Sequence, residues 1–417
     1  MNTKQYYSRL FSLLQTFLFL YIVVPKYLNF SIGFFSVSAD RIILFLLMIF
    51  WLFGIYNFKT VRQVLKSRIK RNKIFVTLFS LFLFFNFVSV FFSQDFSDSI
   101  KRFINFFIYS ASSFFIILSI PLNKKVLKKI ALLFLVASAF ICLYGVLEVF
   151  LGENIFVGLL KGSDLTAYQE SNISYRFRGG ARRIQASFTN PVVFGQFIVL
   201  MVPMLMYFKK FANGYNRYFK LVIAVLIILT YFVKSRASIL ILFMSLVYGL
   251  YYFLFLSKSN LSLKVMVFFG LCGLIPLGLY NLDLNSIFVI FGGLDFSSDD
   301  NRETQLLMAI PIIANSIWTG VGFGMGASTL GYGSNAGGGT IDNYFLTVIL
   351  DAGVLAFLSF SLLVIKCYKL YFSVHYFNKF MIVGLLFFTI NLLTVSVLGV
   401  HPLFYFLLAL LLNLETK

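Results

Sequence analysis

The feature that most constrains this chain is a succession of apolar runs, most of them close to the roughly 20 residues that cross a bilayer as helix. They fall at 10–24, 41–58, 74–92, 103–120, 130–151, 190–208, 221–233, 237–256, 265–282, 341–363, 380–398 and 401–414. No soluble interior is large enough to hide so many. Composition agrees, with 60% of the 417 residues hydrophobic and 12% charged. The reading is an all-α polytopic membrane protein with about twelve transmembrane helices, the whole of 1–417 forming a single integral membrane domain. The runs 221–233 and 401–414 are short, which predicts tilted, broken or partly re-entrant segments. No sequence period stands out, so no internal repeat is expected.

Charge sets the orientation. The net charge of +20 is concentrated in alternate loops: Lys59 to Lys73, then Lys124, Lys125, Lys128 and Lys129, then Lys209, Lys210, Arg217 and Lys220. The positive-inside rule makes these loops cytoplasmic and places both termini on that side. Acidic residues gather in the other loops, with Glu415 the exception. Basic groups confined to interhelical loops do not form a nucleic-acid surface, and no nucleic-acid partner is expected. Lys4 and Arg9 before an apolar run imitate a signal peptide, but Pro25-Lys26-Tyr27 provides no small-residue cleavage site, and the run reads as a retained first helix. Cys142, Cys272 and Cys367 are too scattered for a disulfide framework or a metal site.

On this topology two external segments are long, 152–189 and 283–340. Segments of that length in a compact protein are functional or disordered, and their mixture of aromatic and polar residues favours folded caps. The first contains Arg176, Arg178, Arg182 and Arg183 just before Asn190-Pro191, a good helix start because asparagine caps well and proline loses no useful donor at the first position. Cations beside a helix N-terminus suit an oxyanion; equally, they anchor a loop to lipid headgroups. Lys234-Ser235-Arg236 forms an external turn whose cations run against the positive-inside bias, which favours a functional role.

In the second segment Asp300 and Glu303 have the spacing of a helix N-cap and its third residue, which predicts a start there with Arg302 in the first turn. Arg302 is either a site cation or a local partner of Asp299, Asp300 or Glu303. The following Gln305–Trp318, interrupted by Pro311, reads as an interfacial or re-entrant helix. Gly320-Val-Gly322-Phe-Gly324-Met-Gly326 fails as a nucleotide loop, since Met325 occupies the place of the last glycine and no βαβ pattern surrounds it. It reads instead as a tightly turning or flexible loop. Asp342 and Asn343 lie at the mouth of the next span. Asp351 lies about 13 Å deeper if that helix is continuous, and at roughly 100° per residue it points away from Asp342. A buried carboxylate there needs protein or water, and a structural partnership with an arginine such as Arg236 is expected. His375 lies in a basic loop, and His401 before Pro402 reads as a helix-start residue.

Taken in order, these features resemble the O-antigen ligase and Wzy-type polysaccharide polymerase superfamily of bacterial envelopes. The resemblance rests on Arg183 followed by Phe188-Thr-Asn190-Pro191, the Ser235-Arg236 turn, Arg302, Pro311 through Trp318, the glycine run, and Asp342-Asn343-Tyr344 followed by Asp351-Ala-Gly353. It extends from Arg176 onward; the first five spans match in hydropathy alone. It implies an enzyme of the bacterial cytoplasmic (inner) membrane that acts on its outer face. Repeat units linked to undecaprenyl diphosphate would be joined into O-antigen, capsular or exopolysaccharide by glycosyl transfer, without metal or other cofactor.

Under that resemblance Asp342 serves as base, Arg302 and Arg236 stabilise the leaving diphosphate, and Arg178, Arg182, Arg183, Lys234, Asn190 and Asn343 bind substrate, with Asp351 structural. The partners implied are a lipid-diphosphate-linked donor and acceptor, membrane lipids, a chain-length regulator and a flippase. Ligases of the family usually carry histidine where Asp342 stands, which favours polymerase over ligase. A flippase of lipid-linked sugars is the rival from another class, but it would be expected to show matching halves and polar groups near the midplane.

Overall fold

The computed structural model describes residues 2–25, 30–32, 35–156, 177–178, 181–251, 296–331, 341, 343–373, 376–393 and 400–414. Its helices, in order, are α1 (Thr3–Val23), α2 (Ala39–Asn57), α3 (Lys59–Arg71), α4 (Lys73–Val90), α5 (Phe96–Ser119), α6 (Lys124–Leu151) and α7 (Pro191–Phe208). They continue with α8 (Asn216–Val233), α9 (Arg236–Tyr251), α10 (Phe296–Asn315), the single turn α11 (Gly326–Thr329), α12 (Tyr344–Ser373), α13 (Tyr376–Asn391) and α14 (His401–Leu414). A short 3-10 helix (Lys209–Phe211) and two antiparallel ribbons accompany them: β1 (Phe30–Ile32) with β2 (Phe35–Val37), and β3 (Phe177–Arg178) with β4 (Ala181–Arg182).

Among the described residues, eight helices are long and apolar enough to cross a membrane, and three shorter apolar helices accompany them. By length and composition the chain is therefore an α-helical multi-pass membrane protein. The expected span 265–282 lies outside the described residues. Of the two short runs, the first belongs to α8, a helix of 18 residues. The second is α14, which keeps its 14 residues and is buried from Pro402 to Asn413. At 1.5 Å per residue α14 is about 21 Å long. Surrounded by protein rather than lipid, it has no need to match the bilayer.

Local chemistry explains several of the helix starts. The Asn2 side chain accepts from the N–H of Gln5 and the Gln5 side chain accepts from that of Asn2, a complete capping box for α1. Asp95, Asn123 and Asn190 cap α5, α6 and α7 in the same way, each accepting the N–H three residues ahead. α6 ends at Gly152 in the left-handed conformation (φ 66°).

α7 lies at the centre, buried along almost its whole length, with α6, α8, α9 and α13 packed around it. α12 packs on α4, α14 on α5, and α1 on both α2 and α6. One end of the bundle gathers the basic segments. There Asn413 Nδ2 donates to the carbonyls of Ile117 and Ile120 at 2.9 and 3.1 Å, and an Arg68 terminal nitrogen donates to Ile120 O at 3.4 Å. Burial lowers the Arg68 pKa, with the neighbouring Tyr7 phenol acting in the opposite sense. The opposite end, the mouth, carries the polar segments singled out in the sequence.

Candidate functional site at the mouth of the bundle

The Arg182–Asn190 segment is organised by a carboxylate from α6. Glu148, 2% exposed, accepts through Oε2 from Asn154 Nδ2 at 3.0 Å and from the N–H groups of Gln185 and Ala186 at 3.1 and 2.8 Å. Ala186 sits at φ 50°, a left-handed turn that helps to present two successive amides to one oxygen. Asn154 Nδ2 also donates to Ala186 O at 2.8 Å, and Ser187 Oγ donates to Ile22 O at the end of α1 at 2.8 Å. The loop is thus fastened to α6 and α1 by polar contacts. Arg182 lies in β4, paired with Phe177, and Arg178 of β3 pairs with Ala181. The Arg178 side chain lies outside the described atoms.

The same loop is bonded to the end of α8. Arg183, 8% exposed, donates from Nε to Val233 O at 2.9 Å, and the Ile184 N–H reaches Phe232 O at 3.3 Å. A cation at the carbonyl end of a helix is favourable, because the unpaired carbonyls there carry partial negative charge. Lys234 follows at φ 50° and caps α8, and Arg236 opens α9. Its side chain lies outside the described atoms. Ser238, fully buried, donates to Ser235 Oγ at 3.0 Å and faces Gly195 of α7 so closely that a Cβ there would lie 2.2 Å from its oxygen. Two cationic stretches that are separate in the sequence, Arg182-Arg183 and Lys234-Ser235-Arg236, therefore meet in one corner. Asn190 follows at the start of α7, its side chain accepting from the Val193 N–H at 2.9 Å.

The second segment folds differently from its sequence pattern. α10 begins at Phe296, so Asp300 lies inside the helix and is not its cap. Arg302 is the seventh residue of α10, in the second turn, with its side chain outside the described atoms. The cap spacing misled because the helix runs through the acidic cluster instead of starting at it. Pro311 lies within α10. Leu306, Leu307, Met308 and Ile310 are exposed while Ala309 is buried against Leu330, Ile341 and Leu350.

The glycine run is a strap across a break in α12. Gly353 adopts φ 76°, ψ −178°, so α12 is two helices joined at that residue, and the geometry of a continuous helix does not extend beyond Ala352. Into the break dock the N–H groups of Val321 and Gly322, bonded to Leu350 O and Asp351 O at 2.8 and 3.1 Å, while the Val354 N–H reaches Ile317 O at 2.8 Å. A Cβ on Gly353 would lie 2.4 Å from Trp318 O, and one on Gly320 would lie 2.4 Å from the Asp351 carbonyl. Phe323 packs edge-on to Phe103 and against Phe106 of α5, and Arg102 of α5 bonds both Asp98 (2.9 Å) and Gly324 O (3.1 Å). These contacts specify tight turning.

Asp351 is 6% exposed and accepts the Gly326 N–H at 2.7 Å. The side chain of Arg236, the partner expected of Asp351, lies outside the described atoms. Asn343 accepts from the N–H groups of Phe345 and Leu346 at 2.9 and 3.2 Å and so starts α12, whose Tyr344 N–H is bonded to Leu392 O of the α13 end at 2.8 Å. Asp342, together with 332–340 of the glycine-rich stretch, lies outside the described residues.

Sequence reasoning passed over two further buried carboxylates. One is Glu148. The other is Asp40 at the start of α2, 2% exposed, which accepts from Ser38 Oγ at 2.6 Å and Tyr109 OH at 2.8 Å. His401 opens α14, its ring 5.3 Å from that of Phe106 and 6.3 Å from that of Tyr109. The one signal was burial cost: an ionisable residue at the edge of an apolar run needs a partner, though its sequence does not say which. Among the described residues, no three of His, Cys, Asp and Glu gather closely enough to hold a metal. Chemically, the mouth offers fixed cations on a bonded loop beside two helix N-termini, a setting suited to a multiply charged oxyanion. No protein-family model and no curated protein matches the chain.

Proposed function

We propose that this protein polymerises oligosaccharide repeat units carried on undecaprenyl diphosphate, at the outer face of a bacterial cytoplasmic membrane. In this reading about twelve helices span the membrane, the basic end and both termini are cytoplasmic, and 152–189 and 283–340 are the external segments. The observation that carries the reading is the corner where Arg183, bonded to Val233, joins Lys234 and the start of α9 beside the capped N-terminus of α7.

A glycosyl transfer of this kind breaks the bond between the anomeric carbon of the donor and its diphosphate, and forms one to an acceptor hydroxyl. Negative charge grows on the diphosphate oxygens, where preorganised cations lower the barrier. Arg183 and Arg182, with Arg236 and Arg302, fill that role, Arg178, Lys234, Asn190 and Asn343 hold the substrate, and Asp342 takes the hydroxyl proton. Asp351 belongs to the scaffold, since its carboxylate is already engaged by the strap.

Deletion followed by analysis of lipid-linked glycans tests the proposal. Loss of a polymerase leaves single repeat units on the lipid or final acceptor, with no ladder of longer chains. Loss of a ligase leaves long polymer on undecaprenyl diphosphate, and loss of a flippase traps single units on the cytoplasmic leaflet. Either of the last two results would replace this reading.

A further inference from the structure

We propose that α3 is a docking surface for anionic phospholipid headgroups in the leaflet at the basic end of the bundle. α2 reaches that end and α4 leaves it, and α3 is joined to them by Phe58 alone and Asn72 alone. A 13-residue helix tied at both ends to spanning helices is held at the level of the bilayer surface.

Its residues divide by face. Val61 is wholly buried, and Leu65 and Ile69 are partly buried against the core, while Arg68 turns inward to Ile120 O. Lys59, Arg62, Lys66 and Lys70 are exposed. At roughly 100° per residue these four positions lie within about 80° of one another, beside the apolar stripe. The helix contains no acidic residue to neutralise them.

An acidic protein would suit the cations equally well, but it would not suit what flanks them. Leu52, Phe53 and Tyr56 on the last turns of α2, and Ile74 on the first turn of α4, are exposed apolar side chains. A lipid has both parts that this surface meets: acyl chains for those residues, and a phosphate for the stripe next to them. Positive-inside orientation alone requires cations in the loop. It does not require them ordered along one face of a helix at the membrane plane.

The full chain, purified in detergent and offered equal amounts of phosphatidylglycerol and phosphatidylcholine, is measured by native mass spectrometry for retained lipid. The wild type is expected to retain phosphatidylglycerol preferentially, and increasingly so at low salt. Combined Lys59→Gln, Arg62→Gln, Lys66→Gln and Lys70→Gln should weaken that retention by at least about tenfold. Lys59→Arg with Lys66→Arg and Lys70→Arg, which keeps the charge, should preserve it. Equal retention of the two lipids by the wild type overturns the proposal whatever the variants do. Undiminished retention in the glutamine variant overturns it too, as does selective capture of polyglutamate without any lipid preference.

Discussion

Arg183 Nε lies 2.9 Å from the carbonyl oxygen of Val233, so a guanidinium from the loop before α7 closes the carbonyl end of α8. The contact explains how two cationic stretches fifty residues apart come to share a corner. Arg183→Lys keeps the charge but loses the planar fork that can bond a carbonyl and an oxyanion together. Arg183→Ala is expected to lose about 1.5–3 kcal/mol, the usual worth of a hydrogen bond to a charged group. Under the proposed function both variants stop elongation, with the lysine variant nearer to wild type in thermal midpoint. Glycan ladders and thermal unfolding of the purified variants check this. Wild-type ladders from Arg183→Ala would remove this residue from the site.

Glu148→Ala leaves the amides of Gln185 and Ala186 and the side chain of Asn154 without their shared acceptor. Each buried donor so orphaned costs about 1–3 kcal/mol unless water reaches it. A clear fall in thermal midpoint is expected, with Glu148→Gln intermediate because it retains one acceptor oxygen. An unchanged midpoint in Glu148→Ala would show that the loop does not depend on this carboxylate.

Gly353→Ala faces two penalties, a positive φ and a Cβ placed 2.4 Å from Trp318 O. Left-handed strain alone costs about 1–3 kcal/mol for a non-glycine residue, and the backbone contact adds to it. Low abundance in the membrane is the expected result, measured by quantitative immunoblot. Gly152→Ala shares the positive φ but meets nothing within 4 Å, so it should be milder. Equal abundance of the two variants would show that the close approach at Gly353 carries no weight.

The helices were legible because lipid-crossing runs are local, and so were caps such as Asn190, whose partner is three residues away. The break at Gly353 was not. Its cause is the strap from Ile317 to Gly326, which the sequence separates from it by some thirty residues containing no pattern that demands the contact. Asp300 shows the opposite failure, a good local capping pattern overridden by a helix that had already begun at Phe296. Glu148 and Asp40 were hidden for a third reason. Each sits at an end of an apolar run, and its donors come from other elements: the Gln185–Ala186 turn for one, Tyr109 of α5 for the other. At the candidate site the cation types and their order could be read from the sequence, but not which of them meet.

Asp351 and Asp342 should separate by phenotype. Asp351→Ala removes the acceptor of the Gly326 amide and is expected to lower the amount of folded protein. Asp342→Ala and Arg302→Ala should leave membrane abundance unchanged while abolishing elongation. Paired immunoblots and glycan ladders distinguish these outcomes. Normal chain length in both Asp342→Ala and Arg302→Ala would sink their assignment to the reaction.

The most direct measurement is reconstitution. The purified chain is placed in liposomes with repeat units on undecaprenyl diphosphate, extracted from cells that lack the protein. With no metal, nucleotide or soluble factor added, the account predicts that single units become a ladder of lipid-linked chains and that free undecaprenyl diphosphate is released in step. Lipid-linked units that remain single, or that merely cross the bilayer unjoined, would contradict it.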